Sequence, residues 1–161
     1  MNTIIIETLV LGLIFTLAVY KMSRNPLKEL YNYPPKIQER VKSLEQYNDK
    51  IPTNKKKISV KIIASIIIIA IISFIMKYIN GYSTFLEGFK YSFIIWSIIN
   101  WYDAIVLDCI WFCHSKQFVI KGTEDMIEEY HNYWFHIKCS IIGEIIGLVV
   151  CLIVGLVVSL L

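Results

Sequence analysis

Charged residues are scarce in this sequence. Asp, Glu, Lys and Arg make up 18% of its 161 residues, whereas hydrophobic residues make up 56%, and the mean hydropathy is +0.56. A soluble domain of this size could not keep so much apolar surface away from water. The composition therefore excludes an ordinary soluble globular protein and indicates a membrane protein.

The sequence also lacks the common reaction motifs. It contains no nucleophile motif, phosphate-binding loop, HExxH zinc motif or haem-attachment motif. It has no hydrophobic helix broken by Gly and Pro, of the kind that many transporters use at their binding sites. No motif therefore singles out an enzyme or a transporter, the cofactor is unknown, and we expect no nucleic-acid partner.

Cysteines are few and lie within or beside the apolar segments, at positions 109, 113, 139 and 151. We expect no structural disulfide, because most of them lie toward the predicted cytoplasmic side. Cys109, Cys113 and His114 resemble part of a zinc site, but no second Cys pair lies near the same surface. Packing of small side chains is the preferred interpretation of these cysteines.

Four apolar runs are long enough to cross a bilayer, which requires roughly 20 residues per helix. They are residues 3–20, 58–79, 89–112 and 134–160, named helices one to four below. The first run follows no Lys or Arg and carries Glu7, so we interpret it as a retained helix and not as a signal peptide. The sequence predicts one membrane domain over residues 1–161.

Positive charge is concentrated in one loop. Ten of the sixteen Lys and Arg residues lie in residues 21–57, which the positive-inside rule places in the cytoplasm. The loop 115–133 is then also cytoplasmic, and both termini are outside. The frequent Ile and Lys suggest a bacterial source, so we expect a multi-pass protein of the bacterial cytoplasmic membrane.

An amphipathic helix is predicted inside the first cytoplasmic loop, after Pro34 and Pro35. Ile37, Val41 and Leu44 share one helical face, which we expect to rest on anionic headgroups. Docking of a protein partner on loop 21–57 is the alternative. The predicted fold is thus all-α, an integral membrane four-helix bundle with a cytoplasmic amphipathic helix between helices one and two.

Small residues recur every four positions in two of the helices, which lets another helix approach closely. Helix one has three of them, Thr8, Gly12 and Thr16. Helix four has six, which are Cys139, Gly143, Gly147, Cys151, Gly155 and Ser159. Contact within the bundle or between subunits would explain this seam, and we expect a homo-oligomer through Gly143, Gly147 and Gly155.

Polar residues interrupt helix three. At about 100° per residue, Asn100, Asp103 and His114 share one face, and Asp108 points roughly 140° away from Asp103. Ionisable side chains inside a membrane are costly and by default indicate function. We expect Asn100, Asp103 and Glu144 of helix four to lie near the midplane, where no Lys or Arg occurs, and to bind an ion.

A shallower polar layer is expected on the cytoplasmic side. Its catalytic candidates are His136, His114, Asp108 and Glu124, and its metal-ligand candidates are His114, His136 and Asp108. His136 lies on the seam face of helix four and should be buried. An ion pair between Asp108 and Lys61 is the structural alternative. Thr123, before Glu124, is expected to be a helix N-cap.

Three classes of function remain open. The first is cation- or proton-linked transport or binding by an oligomer. The second is a membrane-embedded enzyme acting on a lipid-like substrate at the cytoplasmic leaflet. The third is a non-catalytic accessory subunit of a membrane complex. The first is preferred because two carboxylates at the midplane must be protonated, share a proton or hold a cation.

The C-terminal 60 residues resemble uncharacterised bacterial four-helix integral membrane proteins. The resemblance is carried by eight positions, which are Asn100, Asp103, Asp108, Gly122, Thr123, Glu124, Tyr130 and His136. It implies that these polar residues belong together, and it implies no activity.

Overall fold

The computed structural model describes residues 2–51 and 53–161, with the side chains of residues 2, 54–58, 60 and 61 left aside. This part of the chain is all-α, with six α-helices and no strand. They are α1 (Asn2–Ser23), α2 (Pro35–Ser43), α3 (Asn54–Phe74), α4 (Phe85–Tyr102), α5 (Ile127–Tyr130) and α6 (Tyr133–Leu160). The prediction of an all-α chain is confirmed.

Four of the helical segments are long and apolar enough to cross a membrane. They are Thr3–Ser23, Ile62–Ile79, Phe85–Phe112 and Ile127–Leu160, in agreement with the four predicted runs. Helix three begins earlier than predicted, at Phe85, because Thr84 and Glu87 form a capping box. The Thr84 hydroxyl accepts the backbone N–H of Glu87, and the Glu87 carboxylate accepts that of Thr84.

Two of these helices continue as π-helix, in which hydrogen bonds join residue i to residue i+5. Ile75–Ile79 extends α3, and Asp103–Phe112 extends α4. The second segment contains both acids of predicted helix three. The side-chain directions predicted beyond Asn100 assumed a rotation of 100° per residue. That value does not hold in the π-helical segment, so these directions change.

The most extensive contact between helices joins α4 to α6. Smaller contacts join α3 to α6 and α1 to α4. Helices α4 and α6 approach each other most closely along the predicted seam of α6. A Cβ added at Gly155 would lie 2.8 Å from the Phe85 carbonyl oxygen, and one at Gly143 would lie 2.5 Å from Asn100 Oδ1. The seam is therefore occupied by α4 of the same chain. A homo-oligomer remains a prediction, and it would need another surface.

The predicted close packing at Thr8, Gly12 and Thr16 is wrong. A Cβ added at Gly12 would meet nothing within 4 Å, and all three residues line a gap of about 330 Å³ between α1 and α4. Thr8 and Thr16 donate hydrogen bonds to backbone carbonyls one turn earlier. The Thr16 hydroxyl also lies 3.0 Å from the Tyr102 hydroxyl and links the two helices.

Residues 24–51 and 112–130 fold together at one end of the molecule, which we call the loop end. Their buried residues form one cluster, which consists of Leu30, Tyr33, Ile37, Val41, Phe112, Cys113, Phe118, Ile120 and Tyr130. Ile37 and Val41 are fully buried in it. The predicted amphipathic helix exists as α2, but its apolar face contacts the chain's own second loop, so the interpretation that it rests on headgroups is wrong.

Candidate functional site

The π-helical segment determines where the two acids of helix three lie. Asp103 and Asp108 are five residues apart, and in π-helix residues i and i+5 are hydrogen-bonded neighbours on successive turns. The prediction that the two acids face directions 140° apart is wrong, because it assumed a regular α-helix.

Asp108 pairs with His136 of α6. The Nδ1 of His136 lies 3.1 Å from Oδ2 of Asp108. His136 is 2% exposed, as predicted for the seam face, and its ring packs edge-on against Phe112 and Phe135. Among the described residues, its Nε2 is buried and has no hydrogen-bond partner. The alternative partner, Lys61, has a side chain outside the described residues.

Glu144 and Asn100 also join α4 to α6, as predicted. Asn100 Nδ2 donates to Oε1 of Glu144 and to the Ser140 carbonyl, both at 3.0 Å. The Ser97 hydroxyl donates to the other carboxylate oxygen of Glu144 at 3.0 Å. Glu144 thus has a donor on each oxygen, which stabilises a carboxylate in an apolar region. Sequence reasoning missed Ser97, although its neighbour Trp96 also contacts α6, at the Gly143 carbonyl.

Asp103 is different from Glu144. It is half-buried and lies at the start of the π-helical segment. The oxygens of Glu144 accept from Ser97 and Asn100, and the predicted ion site of Asn100, Asp103 and Glu144 remains a prediction. Asn100 and Glu144 form one pair, and Asp103 lies one π-helical turn from Asp108, the partner of His136.

His114 lies apart from His136, at the loop end. Its Nε2 is 2.9 Å from the Tyr133 hydroxyl, and its ring centroid is 5.0 Å from that of His131. All three side chains are exposed. His114 and His136 thus have different partners, and a catalytic or metal role for either remains a prediction. Where the structure describes side chains, it brings no three His, Cys, Asp or Glu residues together as metal ligands.

Glu124 and Thr123 have different positions from those predicted. The Glu124 carboxylate accepts the backbone N–H of Gly122 at 2.7 Å and is exposed. Thr123 is fully buried, where its hydroxyl lies 2.7 Å from the Tyr130 hydroxyl. It caps no helix, because α5 begins only at Ile127. Gly122 permits this turn, since its φ of +93° disfavours a side chain.

The chain matches no family model, no curated protein and no solved structure at a significant level. The resemblance to bacterial four-helix membrane proteins therefore remains a prediction.

A further polar contact, missed in the sequence, lies at the opposite end from the loops. Asn80 Nδ2 donates to Oε2 of Glu7 at 3.3 Å, and Oε1 of Glu7 is buried without a partner among the described residues. A pair 73 residues apart leaves no local pattern in the sequence, so this contact could not have been found there.

Proposed function

We propose that this protein binds a proton or a small cation within the membrane at Asp103, Asp108 and His136, and that it serves proton- or cation-linked transport. One observation carries the proposal. Asp108 is within 3.1 Å of the buried His136, and Asp103 lies one π-helical turn away. Chains of acids and histidines inside membrane helices are typical of proton relays.

The charge balance of this group supports ion binding. Asp103 and Asp108 are neighbouring carboxylates in a long apolar segment, and no Lys or Arg among the described side chains pairs with either. Two such charges are strongly unfavourable in hydrocarbon. A proton shared within the group, or a bound cation, would offset that cost.

The two other classes fit the same geometry less well. Asp108 would orient His136 as in a general base, but Nε2, the atom that would accept a proton, is enclosed by protein beside Phe112 and Phe135. A substrate therefore has no visible route to it. An accessory subunit docking through α2 is disfavoured because Ile37 and Val41 already pack inside the chain.

Ion uptake into proteoliposomes tests the proposal. With a potassium diffusion potential imposed, we expect parent vesicles to take up protons or a monovalent cation, followed by an internal dye or by isotope. Asp108→Asn and His136→Gln remove the paired groups, and each should lower uptake by about a hundredfold or more, the usual scale for losing a proton-transfer group.

Asp49→Asn is the matched control, because Asp49 is exposed at the loop end. It should transport like the parent. Equal uptake by parent, Asp108→Asn and empty vesicles would reject the proposal. A loss of uptake in Asp49→Asn would show that the assay reports general damage, so each variant is first matched to the parent in helical content.

A further inference from the structure

A groove opens at the loop end, separate from the acids and from His136. It has a volume of about 690 Å³ and lies between residues 112–121 and 124–131. Phe112 and Tyr130, both buried, form its floor. This volume lies within the range of ligand pockets in proteins.

The polar lining of the groove is mainly basic. Lys116 and Lys121 are exposed in it, and His114 and His131 stand beside them. Neither lysine forms an ion pair within the described part of the chain. The one acid of the lining, Glu124, already accepts the backbone N–H of Gly122. The groove therefore has the charge and the donors to bind a phosphate group.

One side of the groove is apolar. Val119 and Ile127 line it, and Ile127 is 59% exposed. Next to it, α6 begins with the exposed Tyr133 and Trp134, and Lys138 lies 5.4 Å from the ring of Trp134. Aromatic residues with nearby Lys at the end of an apolar helix are typical of the membrane–water interface. The groove then opens at headgroup level, with an apolar wall toward the acyl chains.

We infer that this groove binds the phosphate headgroup of an anionic phospholipid, with Lys116 and Lys121 contacting the phosphate and Ile127 contacting the first part of an acyl chain. The inference takes the membrane-spanning arrangement as given. It does not depend on ion binding at Asp108 and His136, because none of those residues lines the groove.

Native mass spectrometry of the full chain, released from detergent in the presence of added lipid, tests this inference. Phosphatidylglycerol should be retained at least about tenfold more strongly than phosphatidylcholine with the same acyl chains, because each basic residue near anionic lipid contributes a several-fold factor. The double variant Lys116→Gln with Lys121→Gln should lose this preference. Lys28→Gln with Lys50→Gln removes the same charge outside the groove and should retain it.

The apolar wall is tested separately. Ile127→Gln should weaken phosphatidylglycerol retention several-fold and leave the binding of glycerol phosphate itself unchanged. If glycerol phosphate or inorganic phosphate competes as well as the lipid does, the groove binds a soluble phosphate and the inference is wrong. It is also wrong if both lysine double variants lose the preference equally, since that result shows only surface charge. Neither result bears on ion uptake, so the two proposals fail separately.

Discussion

Gly147 has no room for even a methyl group. A Cβ added there would collide with the indole ring of Trp96, whose Nε1 donates to the Gly143 carbonyl at 3.2 Å. We therefore expect Gly147→Ala to destabilise the protein by about 1–3 kcal/mol, the usual cost of overpacking a close contact. Thermal unfolding in detergent micelles, followed by circular dichroism, measures the change.

Gly12→Ala is the matched control for that substitution. Gly12 is also a mid-helix glycine in an apolar helix, but its Cβ would meet nothing within 4 Å. Its replacement by Ala should leave stability unchanged or raise it slightly, since Ala is the better helix former. Equal destabilisation by both substitutions would contradict the close contact between α4 and α6 at Gly147.

Single residues also show where sequence reasoning succeeded. His136 was expected to be buried because it lies seven residues, nearly two full turns, before Gly143, and the regular α6 preserves that relation. Asn100 and Glu144 were expected at one depth and are hydrogen-bonded. The predicted direction of the Asp108 side chain was wrong because no sequence feature of residues 103–112 indicates a π-helix.

At the scale of single elements, α2 offers a direct test of what covers its apolar face. Ile37 is fully buried against the second loop. Ile37→Ala should cost about 2–5 kcal/mol locally, so the loop end should open more often and trypsin should cut within residues 24–51 at least about tenfold faster. Timed digestion of the protein in detergent, followed by mass spectrometry, gives the rate.

Glu39→Ala is the control on the same helix, because Glu39 is exposed. It should be cut at the parental rate. If Ile37→Ala is also cut at that rate in detergent but becomes sensitive only in lipid vesicles, then α2 rests on the bilayer and not on the second loop.

The chain's polar side chains reinforce the attachment of α2. Arg40 pairs with Asp125 at 3.2 Å, and Lys36 pairs with Glu129. The hydrogen bond and charge of Glu129 raise the pKa of Lys36, and burial raises the pKa of Tyr33. Because their pKa values are raised in the folded state, these two groups stabilise that state fully at a pH below their unfolded pKa values. This stabilisation is lost as the pH rises past 10. The loop end should therefore loosen in alkali.

At the scale of the whole molecule, hydropathy alone located the four long helices to within a few residues. Apolar length is a property of the sequence that no tertiary contact can alter. The pairing of these helices is different in kind, because it depends on distant contacts such as Asn80 with Glu7 and Ser97 with Glu144. The loop end was missed for the same reason, since its core joins residues about 80 apart.

The orientation predicted from charge can be tested with membrane vesicles. Residues 24–51 carry exposed basic residues, including Arg40 and Lys50, and Lys90 lies near the other end of the molecule. We expect trypsin to cut at Lys50 only in inside-out vesicles and at Lys90 only in right-side-out vesicles. Fragment masses distinguish the two sites, and cutting at Lys50 from the outside would reverse the proposed orientation.

The π-helical extension of α4 has a geometric consequence for the whole α4–α6 contact. The side of α4 toward α6 bears a row at every fourth residue, which comprises Gly88, Ser92, Trp96, Asn100, Ala104 and Asp108. In an α-helix four residues pass one full turn by about 40°, so such a row winds away from a straight partner. In π-helix a turn needs more than four residues, and the row winds back. Residues 103–112 thus turn the row back toward α6 beyond Asn100, so that Asp108 reaches His136.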